Sequence, residues 1–176
     1  MQDQEHQLES PPGPVMRIDG REFLYFAGTN YLGLSGRPEV RQAAIGACER
    51  FGLGTGNTRA QFGSTDPLLR SEHLLADWLE QDGAFYFSSG FLGPSILAAA
   101  LANQADHIFH DERVHAASTD AAKKTGLPIT SFAHLDAEAL AEKLRNDLSP
   151  NTRPIVLTDG LFGGSGRLAP ISDYLE

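Results

Sequence analysis

Residues 84–132 read AFYFSSGFLGPSILAAALANQADHIFHDERVHAASTDAAKKTGLPITSF, and this stretch decides the fold. A short apolar run, Ala84 to Phe87, meets small residues and passes straight into an apolar helical pattern from Phe91 to Asn103. A second run, His107-Ile108-Phe109, is followed by helical spacing over Val114 to Lys124. A third, Pro128 to Phe132, leads to a helix predicted over Asp136 to Leu148, and Pro154 to Thr158 supplies a fourth strand. Strand then helix, repeated with short joints, predicts an α/β domain with a mainly parallel sheet, because parallel neighbours need a crossover and a helix supplies it.

Upstream of this alternation, Val15 to Ile18 and Glu22 to Phe26 flank Asp19-Gly20, the pattern of a tight β-hairpin. Tyr31-Leu32-Gly33-Leu34 comes after a turn-rich Gly28-Thr29-Asn30. Pro38 then opens a helix predicted to reach Phe51, with Val40, Ala44, Ala47 and Cys48 at helical spacing. The next stretch, GLGTGNTRAQFGSTDP, is too rich in glycine for a regular element and too long for an incidental connection, so it reads as a functional loop. A helix is predicted from Asp66 or Pro67 to Glu80. The organisation expected is a disordered lead-in over 1–14, a hairpin and arm over 15–35, and a large domain over 36–176.

Composition excludes several classes. With 23 acidic against 14 basic side chains and a net charge of −9, nothing supplies the basic stripe of a nucleic-acid binder. No apolar run approaches the roughly 20 residues that span a bilayer, and MQDQEHQLESPPGP has neither the basic start nor the apolar core of a signal peptide. A single cysteine, Cys48, forms no disulfide framework, and the expectation is a cytoplasmic protein. The final APISDYLE reads as the first turn of a helix without a following element, which is what a truncated gene, a split protein or a piece of a longer chain would show.

Two joints carry chemistry. At Phe87-Ser88-Ser89-Gly90-Phe91 a strand runs through small residues into a helix, so the first helical N–H groups point at the sheet's carboxyl edge, where the helix dipole favours an anion such as a phosphate. The same residues are also consistent with an ordinary serine cap on a core helix. At Asp111-Glu112-Arg113-Val114-His115, a histidine at a helix start on the same edge would stack on a flat cofactor, shuttle a proton, or serve the structure only. His107, His110 and His115 with Asp106, Asp111 and Glu112 fit no standard zinc spacing, and alternate strand residues face opposite ways, so no metal site is expected.

The order of Asn30-Tyr31-Leu32-Gly33-Leu34, Phe62-Gly63-Ser64, Phe87-Ser88-Ser89-Gly90-Phe91, Asp111…His115-Ala116-Ala117-Ser118, Phe132-Ala133-His134-Leu135-Asp136 and Leu157-Thr158-Asp159-Gly160 resembles the α-oxoamine synthases, the family of 8-amino-7-oxononanoate synthase and 2-amino-3-ketobutyrate CoA ligase. The likeness runs from Val15 to the end. It implies the type I aminotransferase fold, here as a partial large domain preceded by the hairpin, and pyridoxal 5'-phosphate as cofactor. It implies a decarboxylating condensation of an amino acid with an acyl-CoA, in a homodimer. Ser89, Gly90 and Phe91 would then hold the cofactor phosphate, His115 would stack on its ring as the catalytic residue, and Asn30 would sit near the substrate carboxylate. The loop around Thr58-Arg59-Ala60-Gln61 would lie near the acyl substrate and the partner subunit.

The resemblance also marks what these residues lack. Such enzymes use an aspartate against the pyridine nitrogen and a lysine joined covalently to the cofactor. Lys123, Lys124 and Lys143 are the only lysines, and each falls on a polar stretch of a predicted helix. Many relatives carry glutamate where Asp159 stands and serine where Gly163 stands, with Ser165 two residues away. A histidine common near Leu68 is missing, and the basic arm before the hairpin is shortened. Three functions therefore compete: the N-terminal part of an acyl-CoA-dependent transferase, inactive alone; a non-catalytic fragment or partner subunit; or another type I pyridoxal-phosphate enzyme, an aminotransferase or lyase.

Overall fold

The structure, a computed structural model, describes residues 5–176, and the chain divides into two compact units, with the first ending at Ala84 and the second running from Phe85 to Glu176. The boundary expected at 35/36 falls inside the first unit, where residues 36–84 cluster with the hairpin.

In the first unit β1 (Val15–Ile18) and β2 (Arg21–Leu24) pair antiparallel, Ile18 opposite Arg21. Asp19 and Gly20 both take positive φ, 50° and 75°, the conformation that lets a two-residue turn match the strands' own twist. The polar lead-in is more ordered than its composition predicts, residues 1–4 lying outside the described residues. Leu8 bridges Ile18 and Glu9 N–H donates to Arg17 O at 2.8 Å. Gln7 N–H and His6 Nδ1 reach the Asp19 carboxylate at 2.8 and 2.6 Å. The open edge of β1 offers backbone partners, and a polar segment satisfies them as well as an apolar one.

Helix α1 (Pro38–Phe51) starts on Pro38 and closes where Gly52 N–H donates to Cys48 O, with φ of +73° at Gly52. Helix α2 (Asp66–Trp78) comes after the glycine-rich loop. That loop folds on itself: Thr58 O accepts from both Gln61 and Gly63, and a Cβ on Gly63 would collide with the Asn57 carbonyl oxygen. Arg59 fastens it to α2 by a two-pronged bond to Glu72, both distances 2.8 Å.

The second unit is built on a parallel sheet ordered β4 (Ile129–Phe132), β3 (His107–Asp111), β5 (Pro154–Leu157). Helix α3 (Gly93–Leu101) precedes β3, α4 (Ala116–Thr125) joins β3 to β4, and α5 (Ala137–Asp147) joins β4 to β5. A small hairpin, β6 (Leu161–Phe162) with β7 (Arg167–Leu168), and the short helix α6 (Ile171–Tyr174) complete it. The strand expected at Ala84 to Phe87 is not formed. Residues 84–87 carry no strand assignment.

Phe109, Phe132 and Leu140 form the buried centre, with Leu144, Leu148, Val156 and Tyr174 packed around it. Helix α4 buries Ala117, Ala121 and Ala122, small residues at one-turn spacing that bring its backbone close to its neighbours. Among the described residues no helix is long and apolar enough to cross a membrane.

Candidate functional site

Parallel strands share a direction, so their C-terminal ends meet at one edge, and the loops leaving them converge there. β3 ends on Asp111 and runs through Glu112 to His115; β4 leads into Ala133-His134-Leu135; β5 leads into Thr158-Asp159.

Asp111 has no exposed surface. Its carboxylate accepts from Arg113 N–H at 2.8 Å, from Leu135 N–H at 2.8 Å and from His134 Nδ1 at 2.9 and 3.1 Å. Burial alone would push its pKa up, but the Leu135 and Arg113 N–H groups and the His134 ring outweigh that and hold it below the ordinary 3.8. His134 in turn packs edge-to-face with Phe162, with centroids 4.5 Å apart at 85°.

His115 caps α4. Its Nδ1 accepts from Ala117 N–H at 3.1 Å, which leaves the neutral ring's proton on Nε2. Its own N–H points at both Asp159 oxygens, 3.2 and 3.3 Å away, so Asp159 ties the end of β5 to the loop after β3. The ring is exposed and meets Phe91 edge-on, 6.4 Å between centroids at 73°. Phe91 lies in the single 3-10 turn Gly90–Leu92 that leads into α3, where Ser89 Oγ accepts the Phe91 N–H at 3.3 Å. That bond is long, and therefore weak.

The structure thus brings Ser89, Gly90, Phe91 and His115 into one neighbourhood of the second unit. Asn30 belongs to the first unit, in the turn after the hairpin, where its Oδ1 accepts Ser35 N–H at 3.2 Å and its carbonyl accepts Gly33 N–H at 2.9 Å. Lys123, Lys124 and Lys143 are exposed on α4 and α5. Gly163 and Ser165 occupy the turn between β6 and β7, with Ser165 Oγ accepting Arg167 N–H at 3.4 Å. His107 Nε2 meets Thr130 Oγ1 and His110 Nδ1 donates to Asp111 O, each at 2.9 Å. Among the described residues no group of His, Cys, Asp and Glu gathers as metal ligands. A hollow of about 480 Å³, lined by Leu97, Leu101, Ala121, Ile155 and Leu157, is mainly apolar and holds none of the candidate residues.

Reading the sequence missed the Asp111–His134 pair and the Asp159 contact. The signal was available: Asp111, His134 and Asp159 stand at or just beyond the ends of three strands of one parallel sheet, and such residues share an edge.

Comparison with known proteins gives the class. No protein-family model matches the chain. It is 34% identical over 170 residues to the 8-amino-7-oxononanoate synthase of Symbiobacterium thermophilum, covering 97% of this chain and 43% of that one. With the enzyme of the same name from Hahella chejuensis it is 36% identical over 164 residues, covering 93% and 41%. The serine palmitoyltransferase of S. paucimobilis, with a bound PLP–myriocin aldimine, shares its fold with a TM-score of 0.87 at 26% identity, over 97% of this chain and 43% of that chain. Fold and relatives match the chain to the N-terminal half of the α-oxoamine synthases, in the type I fold of pyridoxal-phosphate transferases. In sequence it stands with the 8-amino-7-oxononanoate synthases, and it spans about two fifths of their length.

Proposed function

We propose that this chain is the N-terminal part of a pyridoxal-phosphate-dependent acyl-CoA:amino acid C-acyltransferase of the 8-amino-7-oxononanoate synthase kind, cytoplasmic and homodimeric in its complete form. The observation that carries the proposal is the meeting of an exposed helix-capping histidine, His115, with the Ser89-Gly90-Phe91 helix start at the carboxyl edge of one parallel sheet.

These residues fit the cofactor. The Gly90 and Phe91 N–H groups at the helix start and the Ser89 hydroxyl suit a phosphate. The weak Ser89–Phe91 bond leaves the Phe91 N–H available in exchange for a stronger anionic acceptor. The open face of His115 suits a flat aromatic ring, with the Phe91 edge beside it. When bound, pyridoxal phosphate would supply an electron sink for carbanionic charge. His115, with Nδ1 held by Ala117 N–H, would present its Nε2–H as a fixed donor, and Asn30 would serve the substrate carboxylate.

The three lysines lie on solvent faces of α4 and α5, so covalent attachment of the cofactor is not assigned to this chain, and it is expected to bind without catalysing. The test is a titration of the chain with pyridoxal phosphate, monitored by the circular dichroism of the cofactor's visible band. A saturable signal, displaced by inorganic phosphate and lost in His115→Ala, supports the reading. A folded chain that induces no signal contradicts it. For the complete protein, CoA release that needs both an amino acid and an acyl-CoA is expected, whereas amino-acid turnover indifferent to acyl-CoA would favour an aminotransferase or lyase.

A further inference from the structure

Asp111 is a costly residue to bury, and nothing in the cofactor fit uses it. A fully buried carboxylate is tolerated only when other groups replace the water it gives up. Here the replacements come from two different strand ends: Arg113 N–H on the way from β3 to His115, and His134 with Leu135 N–H after β4. Leu135 holds φ of +59°, a left-handed conformation unfavourable for a residue with a Cβ and kept only where the surroundings impose it. The bond from its N–H to Asp111 is the visible constraint.

The contacts continue. The His134 and Phe162 rings pack edge to face, Phe162 lying three residues beyond Asp159, and Asp159 accepts the N–H of His115. A closed circuit results: Asp111 to Arg113 and along the loop to His115, from His115 to Asp159, along the chain to Phe162, across to His134, and back to Asp111. Every member lies in the second unit. The buried part of the circuit, Asp111 with His134, Leu135 N–H and Arg113 N–H, is hydrogen-bonded on every side and so rigid, and the bonds from Arg113 N–H to Asp111 and from His115 N–H to Asp159 carry that constraint to the His115 backbone.

We propose that the buried Asp111–His134 pair positions His115: by holding the backbone of residues 113–115 it keeps the ring where Nδ1 meets the Ala117 N–H, the contact that sets its orientation and tautomer. Its functional meaning rests on the cofactor reading above; its physical content does not.

The experiment uses the whole chain with ring-labelled histidine and long-range nitrogen–proton NMR, the His115 signals being assigned with His115→Gln. In the wild type, His115 is expected to show a protonated Nε2 and an acceptor Nδ1. His134→Leu removes the donor to Asp111 and is expected to move the His115 nitrogens towards a mixture of tautomers, with helical circular dichroism retained. His134→Asn places an amide nitrogen where the imidazole Nδ1 sits and is expected to restore the wild-type signals. In parallel, the Kd for pyridoxal phosphate should rise roughly ten-fold in His134→Leu and return in His134→Asn, the scale seen when an outer partner of a ligand-holding group is removed. A residue that only stabilises the fold would lower the melting temperature and leave the His115 nitrogens alone.

Unchanged His115 signals in folded His134→Leu overturn the proposal, and so does a folded His134→Asn that fails to restore them. If His134→Leu does not fold, Phe162→Leu, which removes only the ring contact, carries the same expectation for His115, and no change there is equally contrary. If the wild type binds no pyridoxal phosphate while His115 responds as stated, the positioning stands and the cofactor reading fails.

Discussion

In the first unit, α1 and α2 leave Val40, Ile45, Leu74 and Trp78 between 45% and 78% exposed, whereas in the second unit α5 buries Leu140 to 1% and β3 buries Phe109 completely. The same local signals made both sets of helices: a proline at the start of α1 and α2, a capping aspartate before α5, apolar residues at one-turn spacing. The difference teaches that helix formation is decided by neighbours in sequence and core formation by what the topology brings alongside. Three paired strands with helices packed against them make a core from 92 residues; a hairpin, a loop and two helices bury little more than Met16 and Ala76 among the described residues. The proposed cofactor residues Ser89, Gly90, Phe91 and His115 belong to the unit that has the larger core, which suits the holding of a ring.

Mutations sharpen that contrast. Phe109→Ala should cost about 3–5 kcal/mol of unfolding free energy, the usual penalty for emptying a buried aromatic site. A cost below about 1 kcal/mol in denaturant titration would mean that the second unit lacks the tight packing described. Asp111→Asn keeps the size and loses the charge, and should cost about 1.5–3 kcal/mol near neutrality, the range for hydrogen bonds to a charged group. Because the folded Asp111 carboxyl lies below its unfolded 3.8, its contribution is complete above that value and is lost as pH falls through the folded pKa. The stability gap between wild type and Asp111→Asn should therefore close only in strong acid, below pH 3.8. A gap already closing between pH 5 and 7 would assign the effect to another group.

Smaller effects are expected at the helix ends and on the exposed faces. Asp136 Oδ1 accepts Ala139 N–H at 2.9 Å at the start of α5, and Asp136→Ala should cost about 1 kcal/mol as a lost cap. Trp78→Ala in the first unit, despite the size of the side chain, should fall within about 0.5 kcal/mol, as for an exposed residue away from any packed feature. A large loss there would show that the indole is covered in solution and would undo the contrast between the units.

Much of this fold is legible in the sequence because its signals are local. Pro38 to Phe51 forms a helix over the expected span, since proline at its start and Gly52 after its end fix both limits. The Asp19-Gly20 turn announces its hairpin, and β3, β4 and β5 appear within a residue or two of their expected runs. Ala84 to Phe87 carries no strand assignment, and a short apolar run by itself does not separate a strand from an extended joint. The contacts of Gln7, Leu8 and Glu9 with the first hairpin are not legible in composition, which measures the capacity to bury apolar surface and not the availability of an unpaired edge beside β1. At the site, Ser89 and His115 are recognisable because each stands at a helix start. The Asp111–His134 pair is 23 residues apart in sequence and becomes visible only when parallel pairing aligns the two strand ends.

The most direct test of the central claim is hydrogen exchange along the whole chain, with and without pyridoxal phosphate. Slow exchange is expected in β3, β4, β5, α4 and α5 and fast exchange in α1 and α2, and added cofactor should slow the segments 88–94 and 113–118 while leaving α1 and α2 unchanged. Equal protection of both units, or a cofactor effect confined to residues before 85, would contradict it.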